Sequence, residues 1–294
     1  DWWIHVRARD AAGNCGDTMH FGPFWIDTAA PGAPGAVSSS SHDGGSTNDT
    51  TIDVAWGAAI DALSGIDGYS YFFNGVDDDC DGTIDSDFDE RSASSPPLAA
   101  GTWYFHVCAV DNAGNWGAVT TGGPFTIDLS APRVTNLDSV ATSGGAIGEG
   151  EVVNVGITQL LVSFDEAMDA TLAESSGNYL LIFGGNDGTL DTTVCGPLQG
   201  DDQSLSVDSA TYAGQTSTLT VNGATALGEG DYRLLVCASL EDVAGNPLDG
   251  DGDGTSGDDF ARNFRVDLTP PTVSLVDTVA DTGDGALNEL EPTN

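Results

Sequence analysis

Trp103-Tyr104-Phe105-His106-Val107-Cys108-Ala109-Val110-Asp111-Asn112-Ala113-Gly114-Asn115 reads as one β-strand running into a tight turn. Successive strand side chains point to opposite faces, so Trp103, Phe105, Val107 and Ala109 are expected to share a buried side. Asp111 is placed to cap the turn, and Gly114 and Asn115 to take positive φ, which is the chemistry of a hairpin. The same turn phrase stands at Asp10-Ala11-Ala12-Gly13-Asn14 and at Asp242-Val243-Ala244-Gly245-Asn246.

Working outward, residues 2–31 align with residues 103–132 without a gap, and sixteen positions coincide, among them Trp2/Trp103, His5/His106, Asp10/Asp111, Asn14/Asn115, Phe24/Phe125 and Asp27/Asp128. That density marks a repeat. A second one links 131–151 to 270–291 through Pro132/Pro271, Val134/Val273, Asp138/Asp277 and Glu149/Glu289. The chain therefore reads as the last strands of one unit (1–28), a full unit of that type (29–130), a full unit of a second type (131–268) and the head of another (269–294). Phe24 to Pro31, Phe125 to Pro132 and Phe264 to Pro271 share a boundary pattern in which a short strand ends at Asp27, Asp128 or Asp267 and a proline follows within four residues. Proline stops ladder pairing and stiffens the connection, so the units are expected to stack end to end as a rod.

Inside the units, short alternating segments are separated by Gly, Asn, Asp and Ser clusters. Thr51 to Trp56 is one such segment, and Tyr232, Leu234, Val236 and Ala238 repeat the pattern of Trp103 to Ala109, with Leu161, Ser163 and Phe164 marking an earlier strand. The one expected helix is a turn or two around Ala170 to Ser175. This is an all-β sandwich pattern.

Composition narrows the function. The chain has 46 acidic side chains against 7 basic ones, all arginine, for a formal charge of -39. Nucleic-acid binding needs the opposite sign, and an anionic membrane face would repel it. No apolar run is long enough to span a bilayer, and Asp1-Trp2-Trp3-Ile4-His5 lacks the basic start of a signal peptide. Asp predominates among the acids, and Asp with Gly belongs to turns and to oxygen-ligand loops for hard cations. Adaptation to high salt is a separate reading of the same excess.

Two loops have metal spacing. In Asp77-Asp78-Asp79-Cys80-Asp81-Gly82-Thr83-Ile84-Asp85-Ser86-Asp87, carboxylates fall at positions 1, 3, 5 and 9 with Gly at 6. That spacing wraps oxygens around Ca²⁺ in an EF-hand-type loop. Position 12 is Phe88, so Asp87, Asp89 or Glu90 would have to close the shell. Asp249-Gly250-Asp251-Gly252-Asp253-Gly254-Thr255-Ser256-Gly257-Asp258-Asp259 repeats the pattern, with Phe260 at position 12 and Asp258 or Asp259 to complete it. Asp111 and Asp242 carry a further alternative, a calcium site between units shared with Asp27, Asp128 and Asp267. Turn chemistry alone accounts for those residues, so the hairpin is the leading reading there.

Five cysteines are apportioned one to the first partial unit (Cys15) and two to each full unit. The pairs Cys80-Cys108 and Cys195-Cys237 follow, and with them an oxidising, extracellular compartment. Thiolate zinc is the weaker reading because no C-x-x-C spacing occurs. His5 and His106 are repeat-equivalent and are expected on an outward strand face. No nucleophile elbow, zinc-protease helix or phosphate loop is present, so no catalysis is expected. Asn48-Asp49-Thr50 is a candidate glycan acceptor.

These residues carry three resemblances. Residues 29–130 resemble a fibronectin type III-like module: Trp56 stands where that family keeps its B-strand Trp, Tyr69 at its C-strand Tyr, and Leu98 before the F strand. Trp103 replaces the family's corner Tyr, which removes the usual hydroxyl from that position. Residues 131–268 resemble a bacterial Ig-like domain of the surface-layer type, in Leu161 to Asp169 and in Asp242 to Asp249. Asn74 to Asp85 is similar to a metal-binding repeat of secreted bacterial proteins. The resemblance implies tandem Ig-like and fibronectin III-like sandwiches in a long cell-surface protein, as a filament, stalk or adhesin shaft stiffened by Ca²⁺ and disulfides. The expected partners are copies of the chain or adjoining repeats: residues 1–28 supply two strands and 269–294 one or two, too few to close a sandwich, so strand complementation is expected at both ends. The alternative is accessory or glycan-binding modules of a secreted enzyme, for which Trp2, Trp3, Trp25, Trp103 and Trp116 are the candidate platforms.

Overall fold

The computed structural model describes residues 1–75, 80–139 and 145–272. The expected head of a further unit at 269–294 falls almost wholly outside them, as do Asp77 and Asp79. The described chain is nearly all β. An antiparallel hairpin comes first, β1 (Trp2–Arg9) with β2 (Cys15–Phe24). Next come β3 (Val37–Ser39), β4 (Ser46–Thr47), β5 (Asp53–Trp56), β6 (Ile66–Asn74), β7 (Ser86–Asp87), β8 (Ser92–Ser94), β9 (Gly101–Asp111) and β10 (Thr120–Ile127). They form a five-stranded sheet, β4-β10-β9-β6-β7, and a three-stranded one, β3-β5-β8.

The remaining strands are β11 (Val134–Ser139), β12 (Glu151–Val153), β13 (Gln159–Phe164), β14 (Tyr179–Phe183), β15 (Gln203–Leu205), β16 (Val207–Ala213), β17 (Thr216–Val221), β18 (Gly230–Val236) and β19 (Phe260–Val266). Here the sheets are β11-β13-β17-β16 and β12-β19-β18-β14-β15. A one-turn helix, α1 (Ala170–Ala173), sits where a short helix was expected, started by Asp169, whose carboxylate accepts from the Leu172 N–H. Short 3-10 turns follow at Ser176–Asn178 and Asn222–Ala224. In both sandwiches the first strand of a sheet pairs in parallel with the last strand of the unit, β4 with β10 and β12 with β19.

Alternation explains the packing. On β5, Val54 and Trp56 are buried and their neighbours exposed; Trp56 meets Tyr69, Tyr71 and Phe105 with ring centroids 5.3 to 5.7 Å apart. Phe105, Val107 and Ala109 are buried as the alternation predicts, and Trp103 packs against them from the edge. The opposite face of β9 is covered too. His106 is fully buried, which corrects its expected outward position. Its Nδ1 lies 3.0 Å from Thr121 Oγ1, its Nε2 3.0 Å from Asn74 Oδ1, and Phe72 stacks on the ring at 4.9 Å. In the second sandwich, β13 buries Leu160, Val162 and Phe164, so the inward register is one residue from Leu161 and Ser163.

At the corner of each sandwich a ring donates to a carbonyl four residues upstream. Tyr232 uses its hydroxyl, to Gly228 O at 3.0 Å; Trp103 uses its indole Nε1, to Ala99 O at 3.0 Å. The hydroxyl that Trp103 lacks at this position is thus replaced by a different donor. Both disulfides are formed, Cys80 to Cys108 and Cys195 to Cys237, and Cys15 is free and exposed.

The β1–β2 hairpin stands apart, since every residue of both strands is exposed. Val6 is 60% exposed where its repeat partner Val107 is 0%. The hairpin is the repeat of β9–β10, and among the described residues no second sheet faces it as β3-β5-β8 faces its counterpart.

Candidate metal centres at the unit junctions

Each of the three hairpin phrases folds into the same turn. Asp111 Oδ1 accepts from the backbone of Ala113 and Asn115, and Oδ2 from the Asn115 side-chain amide. Asp242 does the same with Ala244 and Asn246, and Asp10 holds both nitrogens of Asn14. Gly13, Gly114 and Gly245 take positive φ near +90°. The asparagines do not, contrary to expectation, because each closes the turn by donating to its aspartate and lending its carbonyl to the aspartate N–H.

The turn uses only part of each carboxylate. At the first junction Asp111 lies with Asp27, from the linker, and Asp61, from the loop after β5; one oxygen of each is within 4.8 Å of the others. At the second, Asp242 lies in the same way with Asp128 and Glu166, from the loop after β13. Oxygens on opposite sides of a Ca²⁺ ion, at 2.3–2.6 Å each, stand about 5 Å apart, so either set fits one ion. The expected sharing with linker aspartates therefore has a geometric basis at Asp27 and Asp128. Asp267 instead accepts the Thr269 N–H, outside any such group among the described residues.

The two junctions are held alike. Asn115 Nδ2 donates to Asp27 O at 3.3 Å, and Asn246 Nδ2 to Asp128 O at 3.0 Å. Ser64 N–H donates to Asp27 Oδ2 at the first. At the second, Asn48 donates its backbone N–H to Ala244 O at 2.9 Å and its side-chain amide to Gly245 O at 2.7 Å. A side chain at Gly245 would meet that amide at 3.4 Å and would also strain a φ of +90°.

Asp61 and Glu166 were missed from sequence. Asp61 reads as a turn former, and its Oδ1 does accept three N–H groups, from Leu63, Ser64 and Gly65. Glu166 lies within Leu161 to Asp169, a stretch read from sequence for its fold alone.

Electrostatics separates the clusters. Asp111 is held below the ordinary carboxylate range: burial pushes it up, but the bonds from Asn115 and Ala113 outweigh that. The Gly65, Leu63 and Ser64 N–H groups hold Asp61 low. Glu166 is pushed up to about 7, first by burial and then by the Asp242, Asp128 and Asp165 carboxylates. Crowded acids without a counter-charge favour any bound positive charge, whether proton or metal.

The second Asp-rich loop lies against the same linker. Asp249, Asp251, Asp253 and Asp258 converge within 4.8 Å, with Asp249 itself buried. Asp249 accepts from Gly252 and Gly254, Asp251 from Asp253, Asp253 from Thr255, and Asp258 from Gly250. Phe260, at position 12, is a core residue of β19, and Asp258 is the acid that lies with Asp249, Asp251 and Asp253. Asp259 turns away: its two oxygens accept from Cys195 and Ala238, beside the disulfide. Arg133 reaches Asp249 Oδ2 at 2.6 Å, and a depression of about 420 Å³ lined by Arg133, Asp165, Glu166 and Asp249 joins the loop to the junction.

In the first Asp-rich loop, where Asp77 and Asp79 lie outside the described residues, the described acids make local hydrogen bonds. Asp81 accepts from Thr83 N and the Ser70 hydroxyl, Asp85 from Tyr71 N, and Asp87 pairs with Gly68 on the sheet edge. Among the described residues these three do not converge.

No family model matches the chain, and no curated protein matches it. Among solved structures it is similar to the crystal structure of chicken CNTN1 FN1-FN3 domains, at 13% identity and a TM-score of 0.31 over 80% of this chain. It spans 66% of that chain, just under two thirds of its length.

Proposed function

We propose that the chain is a structural segment of a long extracellular cell-surface protein, a filament, stalk or adhesin shaft without catalysis of its own, whose units 29–130 and 131–268 are locked in line by Ca²⁺. The observation that carries this is the recurrence of one constellation at two successive junctions: hairpin aspartate, loop acid and linker aspartate, with an asparagine tying hairpin to linker. A cation there bridges three segments from two units, so its binding energy becomes stiffness between them. The Asp249 loop buttresses the same linker and is a further Ca²⁺ locus. The two disulfides support an oxidising, extracellular setting. Proposed partners are adjoining repeats or further copies, which would complete the open β1–β2 hairpin by strand complementation.

Small-angle scattering with Ca²⁺ and then with chelator tests this. Calcium should give a longer, narrower distribution of interatomic distances, and curves that superimpose in the two conditions would refute calcium stiffening.

A second reading has one observation behind it. Trp2, Trp25, Leu63, Asn112, Ser64 and Asp27 line a cleft of about 580 Å³ between the hairpin and the first sandwich. Exposed indoles beside hydrogen-bonding groups suit a neutral glycan, and an accessory binding role would show as glycan-array binding that Trp25→Ala abolishes.

A further inference from the structure

His5 and His20 face each other directly across the β1–β2 ladder, and both are exposed. Their Nδ1 atoms approach to 2.5 Å, with ring centroids 4.6 Å apart and planes at 83°. A neutral imidazole carries one N–H and one lone pair, and here the same nitrogen of each ring is turned to its neighbour. The repeat shows that the fold does not require this. At the equivalent pair on β9 and β10 the partners are His106 and Thr121, where a hydroxyl answers the imidazole and the ring is buried. The second imidazole is therefore an addition, placed on an open face.

We infer that His5 and His20 form a bidentate site for a borderline divalent transition metal of the Zn²⁺ class, with both Nδ1 atoms as donors and water filling the remaining positions. Imidazole nitrogen suits such ions, and Zn–N bonds of 2.0–2.1 Å in tetrahedral geometry place two nitrogens about 3.3 Å apart. The rings need open by less than about 1 Å to reach it, within the freedom of exposed side chains. The pair offers no oxygen, so it takes a different ion from the carboxylate junctions, where hard Ca²⁺ belongs. The formal charge of -39 raises the local concentration of any cation. Arg7, opposite Thr18 further along the ladder, adds a positive charge that opposes cation binding.

The test is calorimetric titration of the whole chain with Zn²⁺ in excess Ca²⁺, which occupies carboxylate loci, alongside imidazole proton NMR. Wild type should take up one Zn²⁺ per chain that shifts the His5 and His20 ring signals. His5→Ala and His20→Ala should each weaken it by roughly tenfold or more, since each removes one of two protein donors. Because both rings are exposed, circular dichroism should stay unchanged in both variants. No uptake in the presence of Ca²⁺, uptake that both variants retain, or shifts confined to His42 and His106 would each overturn the assignment. The calcium response of the junctions is read separately by scattering, so failure of either idea leaves the other standing.

Discussion

The side-chain amide of Asn246 donates to the backbone carbonyl of Asp128 at 3.0 Å, joining residues that lie on a hairpin and on the linker leading into the same unit. Its other hydrogen goes to Asp242 at 2.9 Å, so one residue sets both the hairpin shape and the linker position. Asn246→Ala removes both bonds. The expected cost is about 1–3 kcal/mol in urea unfolding of the second sandwich, from net hydrogen-bond values. A wider spread of inter-unit distances should accompany it; an unchanged midpoint and unchanged scattering would show the bonds to be idle.

Calcium should raise the melting temperature, and chelator should lower it. Saturation at a hundred times Kd corresponds to about 2.7 kcal/mol for one site. Asp128→Asn with Asp242→Asn should abolish the part due to the second junction and leave that of the first. Stabilisation that persists in this double variant and in Asp27→Asn with Asp111→Asn would move the effect to the Asp249 loop.

Reduction should weaken each sandwich separately. The Cys195–Cys237 bridge closes 42 residues and Cys80–Cys108 closes 28, and loop-entropy reasoning gives about 4 kcal/mol for each. Unfolding with and without a reductant, monitored in Cys80→Ala/Cys108→Ala and Cys195→Ala/Cys237→Ala, would reveal one transition shifting at a time. A single transition moving in both variants would mean that the sandwiches unfold as one.

The two corner residues offer a matched pair. Tyr232→Phe removes a hydroxyl bond to Gly228 O and should cost about 1 kcal/mol. Trp103→Phe removes the indole bond to Ala99 O but also loses ring area at the core edge, so its cost should exceed that of Tyr232→Phe. Equal costs in denaturant unfolding would argue that Trp103 contributes only its hydrogen bond.

Alkali should unfold the second sandwich through Tyr179. Its hydroxyl packs against Ala173 O and the Ser217 hydroxyl at 2.8 Å, and burial pushes it up to about 12 from an ordinary 10.0. The folded state therefore holds the proton more tightly than the unfolded chain. Its contribution of about 3 kcal/mol is complete below pH 10 and is lost as pH rises from 10 to 12. No lysine titrates in that window. Tyr179→Phe should flatten the decline between pH 10 and 12, and an identical decline in that variant would assign it elsewhere.

Fold class was legible because period-two alternation and hairpin chemistry are local: Phe105, Val107, Leu234 and Val236 face the core as their positions dictate. The disulfide partners followed from counting two cysteines per unit. His106 was misplaced because burial of the second strand face depends on β6 and β10, and strand period alone cannot see them. The junction sites were half visible. Asp111, Asp242, Asp27 and Asp128 recur in phrases, whereas Asp61 and Glu166 belong to loops of different sequence that only tertiary structure brings beside them. Asp258 and Asp259 had equal claim in sequence; in the structure Asp258 lies with Asp249, Asp251 and Asp253, while Asp259 accepts from Cys195 N and Ala238 N.

The parallel pairing of β4 with β10 and of β12 with β19 has a mechanical consequence. Where the strand near the entry of a unit runs alongside the strand near its exit, a pull along the chain slides one past the other. All the hydrogen bonds of that short ladder then share the load together instead of parting one by one. Force applied along the polypeptide is thus met in shear, the direction in which a few bonds resist most, before either hydrophobic core is asked to open.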